Sequence, residues 1–491
     1  MDRSYPHAGR DRRARVHLAG SVALLTAVTL ILLVICASAL AYTPGKRVWI
    51  KTSGTKAHGR AFYAGAAGPK GVFYAGGDVY TSAAKDEDAL IVKYAANGRV
   101  LWTRTWASPG AQVDQVWYLA TTTKGDVVAL VYTSPSGGAA SAEVVKYSAA
   151  GKLRWVATRP GTTGFGTSPN GLALDRSGNA VVACTTALTD NGNAQGIDVA
   201  KYSGGSGTQV WSSSLYPDAG DWGNGAAYWE TDLAVDAAGD AFVAGAARDG
   251  VTASDYANAV VARFAAADGA ETHVRVTAYP DGSVFSGVAV KGSVVALAGW
   301  AATIAPGEQE SALVATYATD LGSPNLLPYR LSSATDERDY AEDVALGRHG
   351  DVYLTGYVIQ PPAGGHGWYD GCLTARFSPG LGTTALWARR YWPGSGFKAG
   401  ADGSHLVLDG SDNVYLSGYT ELPGGMDNED GLILKYSSAG KQRWKMTWGD
   451  TEKESDGVEA IALGGSNALY AACYGTAKGF VDRAAAMRID R

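Results

Sequence analysis

The chain has 491 residues, of which 46% are hydrophobic, with 64 Gly, 26 Tyr and 14 Trp. This length allows two or three ordinary domains or one large repeat array, and so many aromatic residues exclude a disordered chain. The formal net charge of −5 argues against nucleic acid or an anionic membrane surface as a partner.

The N-terminus has the features of an export segment. Four Arg lie between residues 10 and 15, ahead of an uncharged stretch, residues 18–41, that ends in ASALA. Such a pattern is typical of a signal peptide, although an apolar stretch of this length can also remain as a membrane anchor. We therefore expect residues 1–41 to be a signal peptide or signal anchor. Residues 42–491 are then extracytoplasmic, either secreted or held by residues 18–41.

A repeated unit fills the rest of the chain. Its marker is the residue that closes an LIVKY-type segment, which recurs at intervals of 53 to 62 residues: Tyr94, Tyr147, Tyr202, Phe264, Tyr317, Phe377, Tyr436 and Ile489. A short apolar segment and a second segment such as GDVYLTG (350–356) precede each marker, and a Gly turn and a tryptophan segment follow. Short strands separated by Gly, Asn and Asp turns predict an all-β fold with four strands per unit.

Counting these strands predicts how the fold closes. Eight inner, eight second and eight LIVKY-type strands are present, but only seven tryptophan-type strands follow them. The first segment, RVWIK (47–51), has no unit before it, and the last LIVKY-type strand, AAMRID (485–490), has no strand after it. Units of about 50 residues with four strands are typical of propeller blades. We predict a single β-propeller of eight four-stranded blades, with RVWIK completing the last blade.

The repeat also resembles a known family. The pattern D-x-x-G-N-V-Y-L-x-G followed by D-x-L-x-x-K-Y-x-x-x-G-x-x-x-W is clearest at residues 409–444 and 88–102. It is similar to the bacterial SBBP-type β-propeller repeat over residues 46–491. That resemblance implies an extracytoplasmic propeller and supplies no catalytic motif. Because the family name refers to seven blades, a seven-bladed ring is the alternative.

Most of the repeated residues are predicted to be structural. The tryptophans recur with the period of the blade, so we expect them to pack between adjacent sheets; they are Trp102, Trp155, Trp211, Trp387 and Trp444. Three aspartates share one turn position and are expected to cap that turn; they are Asp175, Asp236 and Asp409.

The long connections are acidic and contain interleaved aromatic residues. Binding sites usually lie on long loops of a rigid scaffold. The candidate binding residues are Asp336, Asp339, Glu342, Asp343, Glu454, Asp456, Glu459, Trp229 and Trp368. Such dense carboxylates repel one another unless solvent, a cation or a basic partner compensates. This face is therefore either a solvated surface or a binding face for a cationic, metal-bridged or carbohydrate ligand, and Ca²⁺ is the one cofactor that the composition suggests.

Two function classes follow. We expect a non-catalytic interaction module that binds a protein or carbohydrate through the acidic, aromatic face, with no nucleic acid partner and membrane contact only through the N-terminal segment. Neither G-x-S-x-G nor H-E-x-x-H occurs, so the common hydrolase motifs give no support to an enzyme. The alternative is a polysaccharide hydrolase or lyase that uses carboxylates near the central channel. A pair of carboxylates about 5–10 Å apart in a deep funnel would favour it.

Overall fold

The computed structural model describes most of the chain after residue 44. The described residues are 45–54, 59–81, 86–161, 166–188, 195–216, 227–248, 257–302, 309–330, 337–360, 369–393, 400–421, 429–449, 455–465, 467–477 and 481–491. Their regular elements are β-strands and one 3-10 turn, Pro69–Gly71, which confirms the all-β prediction. None of their helical segments is long and apolar enough to cross a membrane. The predicted export segment, residues 1–41, lies outside the described residues.

The strands form antiparallel groups of four, in which chain order is also spatial order except that β1 lies beside β32 in the last group. At two places one parallel residue pair, Glu87 with Val113 and Gln195 with Ala227, joins two groups into an eight-stranded sheet. After β1 (Arg47–Ser53) come β2 (Arg60–Ala67), β3 (Phe73–Thr81), β4 (Asp86–Tyr94) and β5 (Val100–Trp106); β6 (Ala111–Thr121), β7 (Val127–Pro135), β8 (Ser141–Tyr147) and β9 (Leu153–Arg159); β10 (Thr167–Leu174), β11 (Ala180–Ala187), β12 (Gln195–Tyr202) and β13 (Gln209–Leu215); and β14 (Ala227–Val235), β15 (Ala241–Arg248), β16 (Asn258–Phe264) and β17 (Glu271–Thr277). The later groups are β18 (Ser283–Lys291), β19 (Val294–Ala301), β20 (Ser311–Ala318) and β21 (Asn325–Tyr329); β22 (Arg338–Leu346), β23 (Val352–Gln360), β24 (Tyr369–Phe377) and β25 (Trp387–Tyr391); β26 (Ala401–Leu408), β27 (Val414–Glu421), β28 (Glu429–Tyr436) and β29 (Gln442–Trp448); and β30 (Asp456–Leu463), β31 (Ala468–Ala477) and β32 (Val481–Asp490).

The first strand of each group, here called the inner strand, lies beside the inner strands of the groups before and after it. The inner strands are β2, β6, β10, β14, β18, β22, β26 and β30, and β30 in turn contacts β2. The sheets pack face to face, so that each large hydrophobic core of the described residues is shared by two consecutive groups. One of these cores joins the last group to the first, where Tyr470 stacks on Phe73 with ring centroids 5.1 Å apart. Sheets arranged in this way are the blades of a β-propeller.

The predicted turn-capping role of the repeated aspartates is confirmed. The backbone N–H groups of Ser177 and Asn179 each donate a hydrogen bond to Asp175 Oδ1 at 2.9 Å. Asp236 and Asp409 accept backbone N–H groups of their own turns in the same way. Because each carboxylate satisfies N–H groups that face no partner strand, the inner strand can turn into the second strand within a few residues.

The repeated tryptophans pack between consecutive blades, as predicted. Trp102 Nε1 and Lys93 Nζ both donate to the carbonyl oxygen of Ala149, in a turn of the next blade, at 3.1 and 2.6 Å. The same pair of donors recurs as Trp155 with Lys146, Trp211 with Lys201 and Trp387 with Arg376. In that turn Gly151 has a φ of +79°, and a Cβ added to it would lie 3.0 Å from the Trp102 ring. The K-Y-x-x-x-G-x-x-x-W spacing therefore specifies a contact between blades: the Lys and Trp reach forward, and the next Gly makes room for the indole.

β1 is the fourth strand of the last blade. It pairs antiparallel with β32, with Ile50 opposite Met487. The Gly45 N–H donates to the Asp490 carbonyl at 2.7 Å, and the Asp490 N–H donates to the Lys46 carbonyl at 3.0 Å. The two segments thus meet like the arms of a hairpin, although they lie far apart in the chain.

The contact of this last blade with the first one repeats the tryptophan contact seen elsewhere. Trp49 Nε1 of β1 and Arg488 Nη1 of β32 both donate to the Ala96 carbonyl oxygen at 2.9 Å. Ala96 lies in the turn between β4 and β5, and Gly98 of that turn faces the Trp49 ring. β1 therefore makes for the last blade the contacts that β5 makes for the first.

Candidate functional site

Each inner strand of the described part contains a β-bulge near its middle. The bulged residues are Tyr63, Trp117, Asn170, the pair Glu230 and Thr231, Ser286, Glu342, Ser404 and Glu459. The residues that follow these bulges are Ala64, Tyr118, Gly171, Asp232, Gly287, Asp343, His405 and Ala460. A bulge leaves one residue without a cross-strand partner and redirects its side chain. We call these two sets of positions together the bulge layer.

Two aspartates of the bulge layer connect consecutive blades. Asp343 Oδ1 accepts the N–H of its neighbour Val344 at 2.7 Å, and Oδ2 accepts the N–H of Leu406 on the next inner strand at 2.8 Å. Asp232 does the same for Leu233 and for Val288 of the next inner strand, both at 2.8 Å. An inner strand has one open edge, where backbone N–H groups lack a partner strand, and these carboxylates bind them. Burial raises the pKa of both carboxyls to about 6, although the N–H hydrogen bonds oppose the shift.

Replacing Asp343 by Ala is expected to lower the free energy of unfolding by about 1–3 kcal/mol, because the Val344 and Leu406 N–H groups lose their acceptor. Urea unfolding followed by circular dichroism measures the change. Glu271 is an exposed acidic residue on the outer strand β17, and its replacement by Ala should stay within about 0.5 kcal/mol. Equal unfolding midpoints for the two variants would contradict the connecting role of Asp343.

His405 lies among carboxylates in the bulge layer. Its Nδ1 is 3.9 Å from Asp343 Oδ2, and 54% of the side chain is exposed to the channel that the inner strands surround. Although half of the side chain is exposed to the channel, the surrounding inner strands displace bulk water and lower the pKa of His405, while the negative charges of Glu459 and Asp232 oppose this shift. Burial raises the pKa of Glu459, and His405 opposes that shift.

A cavity of about 640 Å³ opens beside the bulge layer. Its walls come from β2, β6, β22, β26 and β30. The lining residues with aromatic or ionisable side chains are Tyr63, Trp117, Tyr118, Asp343, His405 and Glu459. Cavities of roughly 300–1,000 Å³ with apolar walls and a few polar groups are the usual size of small-molecule sites. We call it the channel cavity.

The aromatic wall of the channel cavity is held in place by the blades behind it. The Trp117 ring stacks on Tyr132 with centroids 5.0 Å apart and an interplanar angle of 17°. Trp117 Nε1 donates to Gln115 Oε1 at 3.1 Å, and Gln115 Nε2 donates to Asp78 at 3.0 Å. Tyr63 also donates its hydroxyl to Asp78, at 3.2 Å. These contacts fix both rings before any ligand enters, which lowers the entropy cost of binding.

Glu337, in the acidic run ahead of the sixth inner strand, is neutralised inside the chain. It is fully buried, and its Oε1 lies 2.6 Å from Arg390 Nη2, while Gln360 donates to its other oxygen. A neighbouring strand therefore supplies, for Glu337, the positive charge that the sequence led us to expect from solvent, a cation or a partner. Arg338 of the same run instead pairs with Glu310, outside the run, with its Nε 3.2 Å from Glu310 Oε2.

The candidate residues named from the sequence fall into three sets. Asp343 and Glu459 line the channel cavity, and Glu342 is the bulged residue of β22. Asp339 and Asp456 are buried on the same inner strands, ahead of the bulges, and Trp229 precedes the bulge of β14. Asp336, Glu454 and Trp368 lie outside the described residues.

The sequence analysis did not select Tyr63, Trp117, Tyr118 or His405. A signal for two of them exists: the residue after each bulge lies four positions before the turn residue aligned with Asp236. That rule places Tyr118, Asp232, Asp343 and His405 at one equivalent position, where the other four blades have Gly or Ala.

A second carboxylate group lies between the sixth and seventh blades. Burial raises the pKa of Asp402 to about 7, and the charges of Asp370 and Glu429 add to the shift. Glu421, of the same group, accepts the Gly400 N–H at 2.9 Å.

Nowhere in the described part of the chain do three or more His, Cys, Asp or Glu side chains form a group that could hold a metal ion, so Ca²⁺ binding stays a prediction.

Comparisons with known proteins found distant structural similarity alone. No protein-family model matches the chain, and no curated protein sequence is similar to it. A quinohemoprotein alcohol dehydrogenase from Pseudomonas putida HK5 has a similar structure, with 11% identity, 91% of this chain and 78% of that chain covered, and a TM-score of 0.49. The corresponding values are 10%, 76%, 89% and 0.44 for a polysaccharide lyase, and 10%, 76%, 94% and 0.41 for the β-propeller domain of the trilobed protease from Pyrococcus furiosus. Likeness at this level carries no inference about ligand or activity.

Proposed function

We propose that this chain is an extracytoplasmic, non-catalytic binding protein whose ligand occupies the channel cavity. The observation that carries the proposal is the convergence of Tyr63, Trp117, His405 and Glu459 on one cavity of about 640 Å³. Four different inner strands supply these side chains, and the rings of Tyr63 and Trp117 are already fixed by the blades behind them. Glu337, in the acidic run, is a weaker candidate, since Arg390 neutralises its charge.

We further propose that the blades form a closed ring of eight, as the strand count predicts, with the N-terminal strand completing the last blade and with SBBP-type repeats, although the SBBP family name refers to seven blades. Three observations support closure: β1 pairs with β32, the last and first blades share a core, and Trp49 and Arg488 repeat the contact made between other blades. The sequence pattern supports export, by a leader that is either cleaved or kept as an anchor.

One observation favours an enzyme as the second candidate function. The His405 imidazole lies close to Asp343 and Glu459, and burial moves the pKa of His405 down and that of the carboxyls up. Ionisable groups whose surroundings perturb their pKa values in this way are typical of acid–base pairs, as a polysaccharide hydrolase or lyase would need. Binding is the better-supported function, because both oxygens of Asp343 already accept backbone N–H groups.

The test is to titrate the purified full chain with neutral oligosaccharides and small organic cations, with calorimetry for binding and mass spectrometry for products. We expect saturable binding without conversion, weakened about tenfold or more in Trp117→Ala. Trp300→Ala removes a tryptophan that does not line the cavity and should bind as the wild type does. Conversion of a probe would establish the enzyme instead, and equal binding by the two variants would move the site away from the cavity.

A further inference from the structure

We infer that the channel cavity selects an organic cation, whose ammonium or guanidinium group lies at Glu459 with the aromatic wall beside it. This inference rests on the proposed binding function and adds the chemical class of the ligand. It depends on three features of the cavity: an uncompensated carboxylate, exposed aromatic rings and the number of available ligand atoms.

The first feature is the charge of the lining. Among the described lining residues Asp343 and Glu459 are acidic, and none is Lys or Arg. Elsewhere in the described part of the chain, several shielded carboxylates have cationic partners, as in Asp351 with Arg376 at 3.0 Å and Asp175 with Lys201 at 3.0 Å. Glu459 is half-buried and accepts no hydrogen bond from any described residue. A carboxylate that is partly removed from water and has neither a cation nor a hydrogen-bond donor beside it raises the free energy of the folded protein. A cation bound at Glu459 would remove this cost.

The second feature is the aromatic wall. A cation placed over the face of an aromatic ring is attracted by the ring's negative face, most strongly in Trp. Tyr132 covers one face of Trp117, and the ring still lines the cavity. The described part of the chain uses this contact itself, for example where Lys93 Nζ lies 5.0 Å from the Tyr74 ring centroid and Lys435 Nζ lies 4.8 Å from that of Tyr415.

The third feature separates an organic cation from a metal ion. The described lining offers two carboxylates and one imidazole, and both oxygens of Asp343 already accept backbone N–H groups. Ca²⁺ takes about six to eight oxygen ligands, more than Glu459 can provide. A cavity of about 640 Å³ instead has room for a charged group together with a larger uncharged body.

The test compares cations with uncharged probes of the same shape. The matched pairs are butylammonium with butanol, guanidinium with urea, and choline with its uncharged analogue in which carbon replaces nitrogen. Binding to the full chain is followed by calorimetry and by the NMR signals of the His405 imidazole. At about pH 8 and low salt we expect each cation that binds to do so about tenfold or more tightly than its uncharged partner.

Two variants show whether Glu459 is the carboxylate that binds the cation. Glu459→Gln should weaken cation binding about tenfold or more, whereas Glu271→Gln, which removes a charge from the exposed outer strand β17, should have no effect. If Glu459→Gln fails to fold, the matched probes on the wild-type chain still decide the question.

Binding should also depend on pH. The ionisable groups that line the cavity are Tyr63, Tyr118, Asp343, His405 and Glu459, and the charge of Asp232 also acts on His405. Burial raises the pKa of Asp343 to about 6 and also raises that of Glu459, so lowering the pH from about 8 to about 5 removes negative charge from the cavity and weakens cation binding. An uncharged ligand should keep its affinity over this range.

The outcomes separate this inference from the proposed function. Equal affinity for cations and their uncharged partners, or an unchanged affinity in Glu459→Gln, would overturn the cation inference. If neutral oligosaccharides then bound in a Trp117-dependent way, the binding function would stand with another ligand class. If none of the cations or oligosaccharides bound, both proposals would fail.

Discussion

Trp211→Ala is expected to lower the free energy of unfolding by about 3–5 kcal/mol, the usual cost of truncating a buried aromatic side chain. The Trp211 side chain is 5% exposed and packs between the third and fourth blades. Its Nε1 donates to the Ala266 carbonyl at 3.1 Å, and its ring lies against Gly269. The Ala variant loses the ring contacts and this hydrogen bond together, so Lys201 alone remains on that carbonyl. Urea unfolding followed by circular dichroism gives the change.

Two control variants separate packing from the hydrogen bond. Trp211→Phe keeps most of the apolar surface but loses the N–H donor, and should cost less than Trp211→Ala, by an amount that includes about 1 kcal/mol for the hydrogen bond. Val210, the preceding residue, is 51% exposed, and Val210→Ala should stay within about 0.5 kcal/mol. If Trp211→Ala unfolded at the same urea concentration as Val210→Ala, the assignment of the repeated tryptophans to the blade interfaces would be wrong.

The fold could be predicted from the sequence because each blade repeats its local chemistry. Asp175 and Asp409 cap equivalent turns, so the spacing of Asp, Gly and Asn along the chain marks where strands end. The Lys, Gly and Trp of each unit also recur with fixed spacing because they meet the next blade at one carbonyl. Trp49 obeys the same pattern, which is why the count of strands could predict the pairing of β1 with β32.

The site could not be predicted in the same way, because charge density along the chain does not show which carboxylates have partners. Glu337 belongs to the densest acidic run, yet Arg390 of a different strand neutralises it. Glu459 belongs to the second run and accepts no hydrogen bond from the described residues. The difference depends on which side chains meet across blades, and a sequence read one unit at a time does not contain it.

Departures from the repeat carry the information about the site. Residues that recur with the blade period, such as Trp211, serve the contacts that every blade needs. The position after the bulge differs from blade to blade: it is Gly171 in one, where a side chain would meet Leu233, and Tyr118, Asp232 or His405 in others. A common backbone bulge thus presents different side chains to one channel, which explains how a structural repeat can also hold a specific cavity.

Deleting residues 45–54 is expected to make the protein aggregate or to lower its unfolding free energy by at least about 3 kcal/mol, since β32 would become an exposed edge strand. The deletion also removes Trp49, whose ring lies between Tyr94 of the first blade and Tyr470 of the last, with centroids 5.6 and 6.2 Å away. Truncation of a large aromatic side chain at such an interface alone costs several kcal/mol. Size-exclusion chromatography and urea unfolding measure the two effects.

A synthetic peptide of residues 45–54 added in trans should restore the monomer, and a scrambled peptide of the same composition should not, because only the native order places Ile50 opposite Met487 and Trp49 at Ala96. A deletion variant that stays monomeric and as stable as the wild type would show that the blades close without β1, and the eight-bladed closure proposed above would have to be abandoned.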